Sequence, residues 1–201
     1  MEILEYFFKG GSVMYVLLLC SICVIAILVE RGRFYRQAAA GMENFVEQLP
    51  ALIGGKDWQT AYEQCAEQQC AAAFITKAGL QAAAEGKDAE LALATAYNNA
   101  AAELRSGMNY LSMIVTLSPL LGLLGTIAGM ISSFNVFSLQ AGQPMAITGG
   151  IGEALIATAT GLCVAIFALV VHSFFAQKMD KVLTSMDNAE AIVTTELRKR
   201  G

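Results

Sequence analysis

The chain has 201 residues, 56% hydrophobic and 15% charged, with a net charge of −4. Such a composition belongs to membrane proteins rather than soluble domains. The acidic excess, with no basic stripe laced with aromatics, excludes a nucleic-acid surface.

Residues 1–9 put Ile3, Leu4, Phe7 and Phe8 on one face and Glu2, Glu5 and Lys9 elsewhere, which predicts a short external interfacial helix. The acidic start, with no small-residue cleavage site behind it, sets this segment apart from a signal peptide. Residues 10–29 carry no charge. At ~1.5 Å per residue they cover ~30 Å, one bilayer core, and are the first predicted transmembrane helix. Arg31, Arg33 and Arg36 follow and mark the cytoplasmic side. Residues 30–107 form a cytoplasmic helical domain, rich in helix-favouring alanine, glutamine and glutamate. Pro50 and Gly54-Gly55 should interrupt it, and Gly86 followed by Asp88 reads as a helix stop and a new N-cap. The domain holds no catalytic constellation.

From Ala94 an apolar or small stripe runs through Tyr97, Ala101, Leu104, Met108, Leu111, Val115, Ser118, Gly122 and Gly125 to Gly129 in alternating steps of three and four. This predicts one helix from about Asp88 to Ser133, roughly 65–70 Å long, whose second half, 108–133, is the second span. Residues 134–148, with Gly142 and Pro144, are the external loop, and residues 149–176 the third span. Residues 177–201 form a cytoplasmic C-terminal helix, with Met179, Val182, Met186, Ala189 and Val193 on one stripe. Of the 13 Lys and Arg, only Lys9 falls outside. The positive-inside rule therefore places the N-terminus outside and the C-terminus in the cytoplasm, with three spans. The fold class is an all-α integral membrane protein, with three transmembrane helices and long helices projecting into the cytoplasm.

One acid stands out. No charged residue occurs between Arg105 and Glu153, and none between Glu153 and Lys178 with His172 neutral. A charge at the bilayer centre costs at least ~2.5–3.5 kcal/mol, so a lone acid there is a functional candidate. In the second span, Ser118, Pro119, Gly122, Gly125, Thr126, Gly129 and Ser133 share an arc of about 120°. In the third, Glu153, Ala157, Thr158, Thr160, Gly161, Ala165 and His172 share an arc of about 160°, opposite Leu155, Ile156, Leu162, Ile166, Leu169 and Val170. Gly122, Gly125 and Gly129 read as helix-packing residues. Threonines that bond their own backbone carbonyls are one alternative, and a Glu153 lying at the water interface is another. The functional reading makes Glu153 a proton- or cation-handling carboxylate with Thr126 and Thr158 as hydroxyl partners. Thr160, Ser133 and Gly161 are secondary pore-lining candidates. Thr160 lies closer in angle to Glu153 than Thr158 does, so angle does not rank the two. His172 reads as an interfacial residue.

Five cysteines complete the titratable set. Cys20 and Cys23 lie in one apolar run and Cys163 in another, while Cys65 and Cys70 sit in an alanine-rich stretch without histidine. They read as small helix residues, with no metal site and no disulfide framework.

Leu117-Ser-Pro-Leu-Leu-Gly-Leu-Leu-Gly-Thr126-Ile-Ala-Gly-Met-Ile, followed by Gly-Ile-Gly-Glu153-Ala-Leu-Ile-Ala-Thr158-Ala-Thr-Gly-Leu-Cys-Val-Ala-Ile, resembles the ExbB/TolQ/MotA proton-channel family, nearest its ExbB/TolQ branch. The resemblance is strongest from Glu103 to Phe175. It implies a ring-forming homo-oligomer, usually five copies, around the spans of two copies of a single-span ExbD- or TolR-like protein that carries an intramembrane aspartate. A TonB- or TolA-like protein is a further implied partner, and membrane lipid surrounds the ring. By matched position, Thr126, Glu153 and Thr158 are the polar pore residues. The coupling ion is the proton, with no other cofactor; sodium stays open. Three spans rather than four argue against the flagellar branch. Phe167 stands where the family often has proline, and His172-Ser173 where it has Tyr or Asn, which leaves the cytoplasmic exit open. The implied function is coupling of the proton motive force to work at the outer membrane, through TonB-type transport or envelope maintenance. The alternative is a structural or scaffolding membrane protein without ion conduction. An intramembrane enzyme is disfavoured, since the spans show no serine–histidine or paired-aspartate arrangement.

Overall fold

A computed structural model describes residues 11–139 and 144–200, with side chains over 11–135 and 149–200. Among them every regular element is an α-helix: α1 Val13–Ala38, α2 Met42–Ile53, α3 Trp58–Ala66, α4 Ala71–Ala84, α5 Ala89–Arg105, α6 Met108–Leu139 and α7 Pro144–Arg200. The expected interfacial helix at 1–9 lies outside the described residues. Three helices are long and apolar enough to cross a membrane. The chain divides into two compact units, Met1–Val29 with Gly107–Ser173, and Glu30–Ser106 with Phe174–Gly201.

The first unit holds the apolar spans, and small residues fill its inside. On α1, Met14, Leu17 and Val24 are buried, while Leu18, Leu19, Ile22 and Ile25 are exposed. On α7, Ala154, Ala157, Ala165 and Ala168 are buried, and Leu155, Leu162, Ile166, Leu169 and Val170 face out. Water would penalise that arrangement. In lipid the outward leucines lose nothing, and the inward alanines let backbones approach. Helix α7 runs unbroken through Phe167, which keeps the N–H that a proline would remove.

Helix ends differ from the sequence reading. Of the stretch 134–148 read as loop, 134–139 and 144–148 are helical, and 140–143 lie outside the described residues. Nothing from Phe134 to Leu139 interrupts a helix. Pro144 takes the first helical position, where its missing N–H would have had no partner.

The second unit is a compact helical body. Tyr35, Phe45, Leu49, Ile53, Ile75, Leu80 and Leu93 are buried, and Tyr35 stacks on Phe175 with ring centroids 5.4 Å apart. The expected tail stripe is buried from Val182 on, with Val182, Met186, Ala189 and Val193 each at most 1% exposed, while Met179 is half-buried. Helix α4 ends in a Schellman motif. Gly86 takes φ +67°, Lys87 N–H donates to the Ala82 carbonyl and Gly86 N–H to the Ala83 carbonyl. Asp88 then caps α5, its Oδ1 accepting from Leu91 N–H at 2.9 Å. Pro50 does not interrupt its helix, which runs to Ile53. It sits in the last turn, where its missing N–H costs one bond to the carbonyl four residues back and little helix remains to be broken, and its carbonyl accepts from Gly54 N–H at 2.9 Å. The turn after α2 is held by Arg200, whose guanidinium donates to the Ile53 and Lys56 carbonyls and lies 4.1 Å from the Trp58 ring centroid.

The expected single helix from Asp88 to Ser133 is broken. Ser106 leaves the helix at ψ 141° and Gly107 takes φ +81°. The three-four stripe registers which residues are apolar, and it is blind to a glycine turn between two of them. The break leaves carbonyls at the end of α5 without helical donors. Tyr35 and Arg31 supply two: the Tyr35 hydroxyl donates to Leu104 O at 2.6 Å and Arg31 Nη1 to Glu103 O at 3.1 Å. Arg31 Nη2 also donates to Ser106 Oγ at 3.3 Å. Read in sequence as a charge marking the cytoplasmic side, Arg31 is 9% exposed and serves as a helix cap.

Candidate ion-pathway site

Helices α6 and α7 pack antiparallel through their small residues. The contacts pair Ser118 with Gly161, Gly122 with Thr158, Gly125 with Ala157, and Gly129 with Ala154. The packing leaves no space for side chains. A Cβ on Gly161 would lie 2.5 Å from the Ser118 carbonyl oxygen, and one on Gly125 would lie 2.6 Å from the Ala157 Cβ. At the far end Gly150 is in contact with Ser133 Oγ. The glycines read as packing residues therefore form this seam. Gly161 and Ser133, read as secondary pore candidates, lie in it too.

The hydroxyls differ in what they bond. Thr158 Oγ1 donates across the seam to the Gly122 carbonyl at 2.9 Å. Thr126 Oγ1 donates within its own helix to Leu123 O at 2.6 Å, and Thr160 Oγ1 to Ile156 O at 2.9 Å. Ser133 Oγ likewise donates to Gly129 O at 2.8 Å. Self-bonding of this kind satisfies a hydroxyl in an apolar helix without any partner helix.

Glu153 sits half-buried at one edge of the seam. Its carboxylate reaches the backbone that opens α1: a Cβ on Gly11 would lie 2.7 Å from Glu153 Oε1. Together they border a cavity of about 190 Å³, lined also by Ser12, Gly125, Gly129 and Ser132. Thr126 and Thr158 are not among its lining residues. The sequence reading missed Ser132 and the Gly11-Ser12 edge. A signal for Ser132 existed, since it lies three residues beyond Gly129 and seven beyond Gly125 on one helical face. No pattern in the chain announces that the start of α1 meets Glu153.

His172 is half-buried on α7. In the helical unit Cys65 and Cys70 are buried. Burial pushes the Cys65 thiol up to about 11 and raises that of Cys70, away from the thiolate that binds metals.

Three apolar helices and a carboxylate set beside a small-residue seam define a polytopic helical membrane protein. Residues 66–188 match the MotA/TolQ/ExbB proton channel family, and the chain belongs to that family. It is 34% identical over 188 residues to biopolymer transport protein ExbB-like 1 of Synechocystis, covering 89% of this chain and 74% of the relative. ExbB-like 3 of the same organism is 33% identical over 83% of this chain and 81% of its own length. The biopolymer transport protein ExbB of Salmonella typhimurium is 36% identical over 88 residues, 43% of this chain and 36% of the relative. These names place the chain on the ExbB branch.

Proposed function

We propose that this protein is the ring-forming subunit of a proton-driven motor in a bacterial inner membrane, and that Glu153 is its proton-carrying carboxylate. The observation that carries this reading is a lone acid on an apolar helix of a proton-channel family member, placed at a cavity and, among the described residues, without a basic side chain in ion-pair contact. Family membership and the ExbB-like relatives support the coupling of proton flow to work on an outer-membrane system. One proton crossing the membrane releases about 2.3 kcal/mol per 100 mV.

In this reading several copies, five by family resemblance, surround a single-span ExbD- or TolR-like partner whose aspartate faces Glu153. A TonB- or TolA-like protein receives the motion. Thr126 and Thr158 line the path, with Thr160, Ser133 and Gly161 as further candidates. The N-terminus lies outside, and residues 30–107 and 177–201 lie in the cytoplasm. Between transport energisation and envelope maintenance, the ExbB-named relatives favour the first.

Replacing Glu153 by Ala tests the core of this proposal. Proton flux into vesicles holding the particle as purified from cells should fall at least about a hundredfold, the lower end of a catalytic proton-transfer contribution, while ring mass is retained. Parental flux in Glu153→Ala would overturn it. The scaffold reading would then take its place, supported by the self-bonded Thr126 and Thr160.

A further inference from the structure

The cavity beside Glu153 has a chemistry that the ring-and-partner picture does not use. It is walled by three helices of one protomer, and it contains the opening residues of α1. Its volume of about 190 Å³ accommodates several waters. A water settles where it finds two to four polar partners. This cavity offers the Glu153 carboxylate, which accepts, and the Ser12 and Ser132 hydroxyls, each of which both donates and accepts. Val13, Gly125, Ala128 and Gly129 complete the wall with small or apolar groups. Gly11 matters most. A Cβ there would lie 2.7 Å from Oε1, so a larger residue would shift the carboxylate from the place it holds at the cavity edge.

We propose that this cavity is a hydrated vestibule through which protons reach Glu153 within a single protomer, entering beside the first span, with Ser132 and Ser12 holding the water chain. The inference rests on Glu153 being the proton carrier. A proton arriving as hydronium is taken up by a Glu153 oxygen and leaves a water behind, so the hydroxyls relay without any net change. The partner's role is then to receive the proton rather than to deliver it.

Two measurements test this. Cysteine is placed at Ser12, Ser132 and, as an exposed control that does not line the cavity, at Ile131. Each variant is treated in its membrane with a charged, membrane-impermeant thiol reagent, with the parent chain as background. Thiols attack as thiolates and need water, so positions 12 and 132 should react at least about tenfold faster than 131. Proton flux is measured in parallel. Ser132→Leu, which fills the vestibule, should lower flux at least about tenfold, equal to about 1.4 kcal/mol of barrier. Ser132→Thr, which keeps a hydroxyl, should conduct near the parental rate. If position 132 reacts as slowly as 131, or Ser132→Leu conducts normally while Glu153→Gln is silent, the vestibule is wrong and the role of Glu153 stands. If Glu153→Gln conducts normally, the proton-carrier reading itself falls. Should Ser132→Leu fail to assemble, the labelling rates alone decide.

Discussion

Tyr97 illustrates how one side chain ties the helical unit to proton activity. Its hydroxyl faces the Asp187 carboxylate, and that interaction, with burial and the nearby carboxylates behind it, pushes the phenol up to about 12. The folded state thus holds this proton more tightly than the unfolded chain, whose phenol titrates near 10. The contribution is complete below pH 10 and is lost as pH rises from about 10 to 12. In thermal melts the parent should exceed Tyr97→Phe at pH 8, and the gap should close toward pH 12; a constant gap would show that the interaction does not form. The threonines separate by what their hydroxyls bond. Thr158→Val removes an interhelical hydrogen bond, worth about 0.6 kcal/mol in membrane proteins, and should lower the melting temperature slightly. Thr126→Val removes only a bond within its own helix and should leave stability unchanged. Loss of proton-driven activity in Thr126→Val without loss of stability would then place that hydroxyl in the ion path; full activity in both variants would make the hydroxyls structural.

At the scale of elements, the seam between α6 and α7 is the part that tolerates least. Gly125 faces both Ala157 and Val13, so a larger side chain there presses on two helices at once. Gly125→Leu should cost about 1–3 kcal/mol, as overpacked cores do, and should show as a lower melting temperature and a weakened ring in detergent. An unchanged melt would mean that the helices part freely. Much of this level could be read from periodicity. The small and greasy arcs of α7 and the buried stripe of Val182, Met186, Ala189 and Val193 both appear as the 3.6-residue period requires. The Gly86–Asp88 junction was legible because each residue has a local backbone task. The break at Ser106–Gly107 was not, because its carbonyls are completed by Arg31 and Tyr35, more than sixty residues away. Pro50 misled for the opposite reason: its effect depends on how close it lies to a helix end that Gly54 sets.

For the whole molecule, the reading turns on company. Outward leucines and isoleucines on all three spans suit both lipid and further copies of the chain. The particle purified in mild detergent from its own cells should have the mass of a ring plus a small single-span protein with an aspartate in its span. A monomer, or a ring without such a partner, would move the reading to a scaffold. Uncharged runs, the positions of the arginines and the isolation of Glu153 are properties of order along the chain. They yield span number, helical class and the acid to suspect, because hydrocarbon penalises charge wherever the chain folds. Which groups stand around that acid is a property of packing. The meeting of Gly11 with Glu153, the pairing of Thr158 with Gly122, and the capping of α5 by Arg31 each join residues distant in sequence. No local period encodes them, since they arise only when helices with matching small faces close on one another.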